Sequence, residues 1–110
     1  MSENVVEIVS FKLYDYADEN QFMQTNEGMT TFLQNQPGFL YRSLVKNEQT
    51  SVWTDIVYWE DQGKAEAAGK AFMESDATRA MIKHIDNNSV DMKHLPVKWQ
   101  YYPEMQKNAS

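Results

Sequence analysis

The alternation of apolar and polar positions predicts four strands and two helices in the order βαββαβ. The clearest signal runs from Pro37 to Trp59, where two segments rich in β-branched and aromatic residues flank a polar turn, as in a β-hairpin. The predicted strands are Val5–Leu13, Phe39–Lys46, Val52–Trp59 and Val90–Tyr102, and the predicted helices run from Asp18 to about Gln36 and from Lys64 to Ile85. Two right-handed crossovers in this order place both helices on one face of a four-stranded antiparallel sheet, which is a ferredoxin-like α+β fold.

Four local signals refine these elements. Asp18 is expected to cap the first helix, and Gly28 within that helix indicates a close approach to another backbone. The second helix would exceed about 30 Å, which is longer than the strands, so we expect it to bend at residues 75–78 with Ser75 as a new cap. Pro96 is expected to interrupt the last strand or to confine part of it to a sheet edge.

The third predicted strand is apolar on both faces. Trp53, Asp55, Val57 and Trp59 share one face, and Val52, Thr54, Ile56 and Tyr58 share the other. Two helices cover only one face of a four-stranded sheet, so the other face would expose a larger apolar patch than monomers usually tolerate. The pattern therefore predicts a homodimer that forms through the helix-free face of the sheet.

Composition narrows the class of protein. The chain of 110 residues fits one domain spanning residues 1–110, in which we expect residues 103–110 to form a loose tail. A formal net charge of -6, with the basic residues scattered, argues against nucleic acid as a partner. The absence of a long apolar run argues against a membrane span, and a cytoplasmic location is the default expectation.

Several motifs, in their order and spacing, point to a family. They are Gln36-Pro37-Gly38-Phe39 at the end of the first helix, the W-x-D-x-x-x-W strand from Trp53 to Trp59, Trp59-Glu60-Asp61 before an alanine-rich helix, and residues 72–76 at the bend. Over nearly its whole length the chain resembles the dimeric α/β-barrel proteins typified by antibiotic-biosynthesis monooxygenases. The resemblance implies a pocket between the sheet and the helices, and oxygen chemistry on aromatic or quinone-like substrates without metal or flavin.

Haem degradation, which occurs in one branch of this family, is disfavoured. That branch needs an Asn on the first strand, a Trp just before the helix bend and a haem-ligating His after it. The first strand here has no Asn, and Phe72 and Ile82 stand where the Trp and the His would be. His84 lies two residues further on, about 200° around a helix, and therefore points elsewhere.

Asp55, His94 and Tyr58 are the candidate catalytic residues. Asp55 shares a strand face with two Trp residues, and a buried carboxylate without a partner costs several kcal/mol. It is therefore either a general base or substrate anchor, or the partner of Arg42 or Lys98 in an ion pair near the dimer interface. His94 is either a pocket residue or a capping or surface residue.

Trp53 and Phe72 are the candidate substrate-binding residues, since aromatic rings bind flat ligands by stacking. No metal is predicted, because the chain has no Cys and its two His residues do not fall in a metal-binding motif. The family resemblance implies that no cofactor is needed, and that the protein is a cofactor-independent monooxygenase of a small aromatic or quinone-like compound. The alternative is a non-catalytic small-ligand-binding or stress-related protein of the same fold.

Overall fold

The computed structural model describes residues 3–101 and residue 103, and its helices lie on one face of a four-stranded sheet. The elements are β1 (Val5–Phe11), α1 (Glu19–Gln24), α2 (Asn26–Gln34), β2 (Phe39–Asn47), β3 (Val52–Trp59), α3 (Gln62–Glu74), α4 (Asp76–Ile82) and β4 (Asp91–Pro96), with a short 3-10 turn at Asn87–Ser89. The strand order is β2-β3-β1-β4, and every pair of neighbours is antiparallel. The predicted ferredoxin-like α+β fold is confirmed. No helix in the described ranges is long and apolar enough to cross a membrane.

The two faces of the sheet are distinguished by burial along β3. Trp53, Asp55, Val57 and Trp59 are buried, whereas the residues between them are half-buried. The buried set packs against side chains from both helical segments, so this is the helix-facing side of the sheet. The core on this side consists of Phe11, Phe22, Met29, Leu33, Trp53, Val57, Trp59, Ala65, Ala68, Met81 and Ile85.

The predicted first helix is divided into α1 and α2 at Thr25, so the prediction of one continuous helix is wrong. The carboxylate of Asp18 caps α1 as predicted, by accepting hydrogen bonds from two backbone N–H groups of its first turn. The hydroxyl of Thr25 donates to the carbonyl oxygen of Phe22 at 2.6 Å. A side chain that bonds to its own backbone in this way competes with the helical hydrogen-bond pattern and favours a break.

Gly28 lies where α2 crosses α4. A Cβ atom at this position would lie 3.3 Å from the Cβ of Ala77 and 3.9 Å from its Cα. The close approach that the sequence predicted at Gly28 is therefore confirmed, and the neighbour is α4. This contact holds the two broken helices together above the sheet.

The predicted bend in the second helix occurs at Ser75, between α3 and α4. Its structural cause is Thr78, which has no exposed surface and whose hydroxyl faces the carbonyl oxygens of Phe72 and Ser75 at 2.6 and 2.8 Å. Ser75 is the N-cap residue by position, but its side chain makes no capping hydrogen bond, so the predicted cap is wrong. Thr78 does not replace this cap, because its hydroxyl donates to carbonyl groups at the end of α3 rather than accepting from N–H groups of α4.

Replacing Thr78 with Val is expected to lower the free energy of unfolding by about 0.5–1.5 kcal/mol, because it removes a buried hydroxyl hydrogen bond while preserving shape. The carbonyl groups of Phe72 and Ser75 then keep only their longer backbone hydrogen bonds of 3.3 Å. Urea denaturation monitored by circular dichroism measures the loss. Ser75→Ala is the matched control and should have almost no effect. Equal losses in the two variants would contradict the assignment of the bend to Thr78.

The last strand is shorter than predicted, because β4 ends at Pro96. Pro96 pairs with Val5, the first residue of β1, so the neighbouring strand offers no further partner. The N–H of Val97 instead donates to the carbonyl oxygen of Asn4 at 2.8 Å, and Trp99 is 82% exposed. The predicted extension is therefore wrong for residues 97–101. Tyr102 and the predicted tail, apart from Pro103, lie outside the described residues.

Candidate functional site

A row of residues crosses the helix-facing side of the sheet and carries ionisable groups on three of its four strands. The register aligns Arg42 of β2, Val57 of β3, Glu7 of β1 and His94 of β4. The row faces the helices because Val57 belongs to the buried set. Ionisable side chains are costly on a face that otherwise forms the core, unless each of them has a partner. This row therefore defines the candidate site.

Asp55 forms an ion pair with Arg42 on this side of the sheet. Nε and Nη2 of Arg42 donate to the two carboxylate oxygens of Asp55, each at 2.9 Å, and each side chain is only 11% exposed. Nη1 of Arg42 also donates to Oδ1 of Asn26 at 2.8 Å, which ties the pair to α2. Such two-pronged pairs are among the strong hydrogen-bonded contacts in proteins. The ion-pair alternative with Arg42 is thus what the structure contains.

The pair does not lie where the sequence-based interpretation placed it. Asp55 points toward the helices, so its predicted position near a dimer interface on the helix-free face is wrong. The other proposed partner, Lys98, forms an ion pair with Glu3 at 3.0 Å instead. Asp55 faces the helices because it alternates with the core residues of β3, and the irregularity in β2 between Phe39 and Tyr41 brings Arg42 onto the same side.

His94 lies at the centre of a second polar chain at the other end of the row. Its Nε2 is 3.0 Å from Oε1 of Glu7, and its Nδ1 is 3.1 Å from the amide nitrogen of Gln62. The same amide nitrogen donates to Oε2 of Glu66 at 3.0 Å. The side chains of His94 and Glu7 are each 20% exposed, so solvent reaches the helix-facing side at this edge of the sheet.

These contacts fix the tautomer of His94. The amide nitrogen of Gln62 is only a donor, and the carboxylate of Glu66 is only an acceptor, so Nδ1 of His94 accepts the second amide hydrogen. Nε2 therefore carries the ring proton and donates it to Glu7. A carboxylate behind an imidazole holds the ring in one tautomer and one orientation. The lone pair of Nδ1 is then the basic atom of the site, and it is covered by the side chain of Gln62.

The other candidate residues are divided between the two faces. Tyr58 is half-buried on the helix-free side, with its ring 6.2 Å from that of Tyr41. Trp53 is buried on the helix-facing side, where its ring meets Phe22 edge-on at 5.0 Å. Phe72 of α3 is half-buried against the core. Asp55, His94, Trp53 and Phe72 thus share one side of the sheet, and Tyr58 does not join them.

Lys46 closes the far end of the helix-facing side. It makes ion pairs with Glu19 at 2.7 Å and Glu48 at 3.2 Å, and its ammonium group lies 5.4 Å from the centre of the Trp53 ring. The hydrogen bonds to Glu19 and then to Glu48 raise the pKa of Lys46 above its ordinary value. Lys46 is therefore charged at neutral pH and fastens α1 to β2 over Trp53.

Sequence reasoning missed Glu7 and Gln62. Glu7 had a usable signal, because it is a carboxylate on the same strand face as Val5, Val9 and Phe11, which is the argument that singled out Asp55. Gln62 had no signal, since exposed Gln residues at helix starts are common. In the part of the chain that the structure describes, no group of three or more His, Asp and Glu residues could hold a metal ion.

The fold and the site can now be compared with known proteins. No protein-family model matches the chain, and no curated protein sequence matches it significantly. Among solved structures, SnoaB, a cofactor-independent oxygenase from Streptomyces nogalater, matches with a TM-score of 0.71 and 16% identity, covering 93% of this chain and 99% of its own. The monooxygenase ActVA-Orf6 of Streptomyces coelicolor, in complex with nanaomycin D, matches with a TM-score of 0.68 and 14% identity, covering 92% and 93%.

A third match is a dimeric ferredoxin-like protein of unknown function from Jannaschia, with a TM-score of 0.63 and 11% identity, covering 86% of this chain and 99% of its own. Other matched structures are provisionally described as antibiotic biosynthesis monooxygenases. At these identities the likeness shows the fold alone. The chain thus has the ferredoxin-like fold of the antibiotic-biosynthesis monooxygenases, as the resemblance in its sequence predicted.

Proposed function

We propose that the protein is a cofactor-independent monooxygenase that acts on a small aromatic or quinone-like compound. The observation that carries the proposal is the Glu7–His94 pair, an oriented and partly exposed imidazole whose Nδ1 lone pair is covered by the exposed side chain of Gln62. The fold shared with SnoaB, which is a cofactor-independent oxygenase, supports the same conclusion. A base at this position is what such a reaction needs, because the substrate must become a carbanion before it reacts with oxygen.

The reaction can be written for an anthrone-type substrate, R₂CH₂ + O₂ → R₂C=O + H₂O. Nδ1 of His94 accepts a proton from the activated C–H bond, and Glu7 stabilises the resulting imidazolium. The carbanion reduces O₂ and forms a C–O bond, and the proton on His94 completes a hydroperoxide at that carbon. Loss of water from the hydroperoxide cleaves the O–O bond and leaves the carbonyl group. The substrate supplies all four electrons that O₂ takes up, two for the carbonyl oxygen and two for the water, so no other reductant enters the balance.

The geometry favours His94 over the other two catalytic candidates. Both carboxylate oxygens of Asp55 are occupied by Arg42, so Asp55 would serve to hold Arg42 and α2 in place. Tyr58 lies on the opposite face of the sheet from His94, and one protomer cannot present both to one substrate. The predicted catalytic roles of Asp55 and Tyr58, and the substrate-binding roles of Trp53 and Phe72, stay predictions.

A ligand screen followed by turnover in air and under nitrogen tests this function. Thermal unfolding should be measured with anthrones, quinols and flat phenols, because a ligand at a hundred times its dissociation constant adds about 2.7 kcal/mol of apparent stability. We expect compounds that stabilise the protein to be converted in air without added metal or flavin, faster than in protein-free buffer. Conversion at the same rate under nitrogen, or no faster than in buffer, would contradict the proposal.

One observation favours the second candidate function, a non-catalytic small-ligand-binding protein. Both ring nitrogens of His94 already have partners within the chain, which is how a structural histidine would be arranged. The monooxygenase therefore requires that Gln62 leave Nδ1 when substrate binds, whereas a binding protein does not. Tight binding of several compounds without turnover in air would favour the binding protein.

We also propose that the protein is a homodimer formed through the helix-free face of the sheet. That face carries large apolar side chains that are nearly half exposed, namely Tyr41 at 49%, Val45 at 48% and Leu95 at 44%, around the half-buried Ile56 and Tyr58. An isologous contact between two such faces would cover them. The dimeric ferredoxin-like match supports this arrangement. The cytoplasmic location and the single domain over residues 1–110 also stay predictions.

Replacing Ile56 with Asp is expected to dissociate the dimer, because it places a charge in the centre of an apolar contact. Sedimentation equilibrium at micromolar concentration should give about twice 12.8 kDa for the wild type and about 12.8 kDa for the variant. Ala67→Asp, at an exposed position on α3, is the control and should remain dimeric. A wild-type protein that sediments as a monomer would refute the proposal.

A further inference from the structure

A cleft lies directly beside Gln62, at the edge of the sheet that carries His94. It has a volume of ≈ 630 Å³ and is lined by Glu3, Val5, Asp61, Gln62, Gly63 and Pro96. Val5 and Pro96 form its floor on the helix-facing side, since they pair with each other and lie two residues from Glu7 and His94 on the same strands. Its volume falls in the range of about 300–1,000 Å³ that small-molecule sites usually have.

The side chain of Gln62 separates this cleft from the basic atom of His94. Gln62 lines the cleft, and its amide also donates to Nδ1 of His94. The amide is held by Glu66, one turn further along α3, and Gln62 is itself exposed. An exposed side chain at the first residue of a helix can change rotamer without disturbing the core. The cleft and His94 would then become one continuous site.

We infer that Gln62 is a displaceable cover, and that the cleft binds an uncharged aromatic compound whose hydroxyl group replaces the amide of Gln62 at Nδ1 of His94. That this compound is then oxidised rests on the proposed function. The inference adds the class of substrate and the route by which the substrate reaches Nδ1 of His94. The hydroxyl must be a donor, because Nδ1 can only accept. The ring would lie over the apolar floor formed by Val5 and Pro96.

The charges around the cleft exclude carboxylate-bearing compounds. Glu3 and Asp61 line the cleft, and Glu7 and Glu66 flank the His94–Gln62 contact behind it. Two lysines near the lining residues are already paired, Lys98 with Glu3 at 3.0 Å and Lys64 with Glu60 at 4.0 Å. A carboxylate ligand would have no hydrogen to give to Nδ1 and would be repelled by these groups. A neutral phenol has a hydrogen to donate to Nδ1 and carries no charge that these carboxylates would repel.

The test uses 2-naphthol and 2-naphthoate, which have the same ring system and differ in the donor group. Dissociation constants are measured by calorimetry for the wild type, for Gln62→Ala and for Gln34→Ala, an exposed Gln of α2 that serves as control. We expect naphthol to bind about 2- to 10-fold more tightly to Gln62→Ala, the equivalent of one net hydrogen bond, and equally to the control. Naphthoate should bind at least about 10-fold more weakly than naphthol, with a gap that narrows as salt is added.

A second readout reports on His94 itself. In a His84→Gln background, ¹⁵N signals of the one remaining imidazole should show an unprotonated Nδ1, and naphthol should shift that signal. The inference is overturned if neither the wild type nor Gln62→Ala binds naphthol, or if Gln62→Ala binds it no more tightly than the wild type does. It is also overturned if naphthol does not move the Nδ1 signal of His94.

The two proposals fail in different ways. Oxygen-dependent turnover of a screened compound that is lost in His94→Gln would leave the monooxygenase standing. If, at the same time, Gln62→Ala did not change naphthol binding and naphthol did not move the Nδ1 signal, the cleft would be refuted as a phenol site. Naphthol binding that shifts Nδ1, without turnover of any compound in air, would support the cleft and Gln62 while contradicting the monooxygenase.

Discussion

Replacing His94 with Gln is expected to lower the rate of oxygen-dependent turnover by about 10²- to 10⁴-fold, the range that a positioned general base contributes. Glutamine is similar in size and can still hydrogen-bond to Glu7 and Gln62, but it cannot take up a proton at neutral pH. Oxygen uptake with a compound from the ligand screen measures the effect. Circular dichroism and sedimentation should show that the variant keeps the fold and the assembly of the wild type.

His84→Gln is the matched control for this prediction. His84 is the other His of the chain, and its ring packs against Phe22 with centroids 6.2 Å apart. Its replacement should leave the turnover rate close to that of the wild type. A wild-type rate in His94→Gln, with His84→Gln unaffected as well, would remove His94 from the reaction. Glu7→Gln should cause a smaller loss than His94→Gln, because Glu7 acts through the imidazole.

Replacing Arg42 with Met is expected to lower the free energy of unfolding by about 3–5 kcal/mol, because it leaves the carboxylate of Asp55 buried without its partner. Both side chains of the pair are only 11% exposed, so water does not solvate the remaining charge. The double variant Arg42→Met, Asp55→Leu should recover much of the loss, since apolar side chains of similar size often replace a buried ion pair at little cost. Urea denaturation at one fixed protein concentration measures all three proteins.

An exposed ion pair provides the control. Arg79 and Asp76 are 2.7 Å apart but 64% and 95% exposed, so Arg79→Met should cost less than about 1 kcal/mol. If Arg42→Met costs no more than Arg79→Met, the Arg42–Asp55 pair does not organise the helix-facing side. A double variant as unstable as the single one would likewise contradict the argument that the unpaired charge causes the loss.

Much of the fold could be predicted from the sequence because its signals are local. The period-2 pattern of Val52–Trp59 assigned both faces of β3, and the length of the second helix predicted a bend, which we placed at residues 75–78. The break at Thr25 could not be predicted, since Thr is tolerated within helices and its hydroxyl breaks this one through a single contact with Phe22. The end of β4 depends on where β1 begins, which is a property of the pairing rather than of either strand.

Only part of the candidate site could be predicted, because its contacts depend on how the strands pair and not on local sequence signals alone. Asp55 was recognisable as a carboxylate on an apolar strand face, and Arg42 as one of two possible partners, but that Arg42 lies on the same side depends on the irregularity in β2. The Glu7–His94 contact depends on the register between β1 and β4. Gln62 reaches His94 because Asp61 caps α3 by accepting from the N–H of Lys64, so that the helix begins at Gln62, two residues earlier than predicted.

The incorporation of ¹⁸O₂ tests the central claim most directly, namely that this chain inserts one oxygen atom without a cofactor. Metal-free and flavin-free protein should be incubated briefly under ¹⁸O₂ with a compound that stabilises the protein against unfolding, beside a protein-free blank and His94→Gln. We expect one ¹⁸O atom in each product molecule, formed faster than in the blank and slowly in His94→Gln. Product that lacks ¹⁸O, or that forms no faster than in the blank for any compound that binds, would contradict the account.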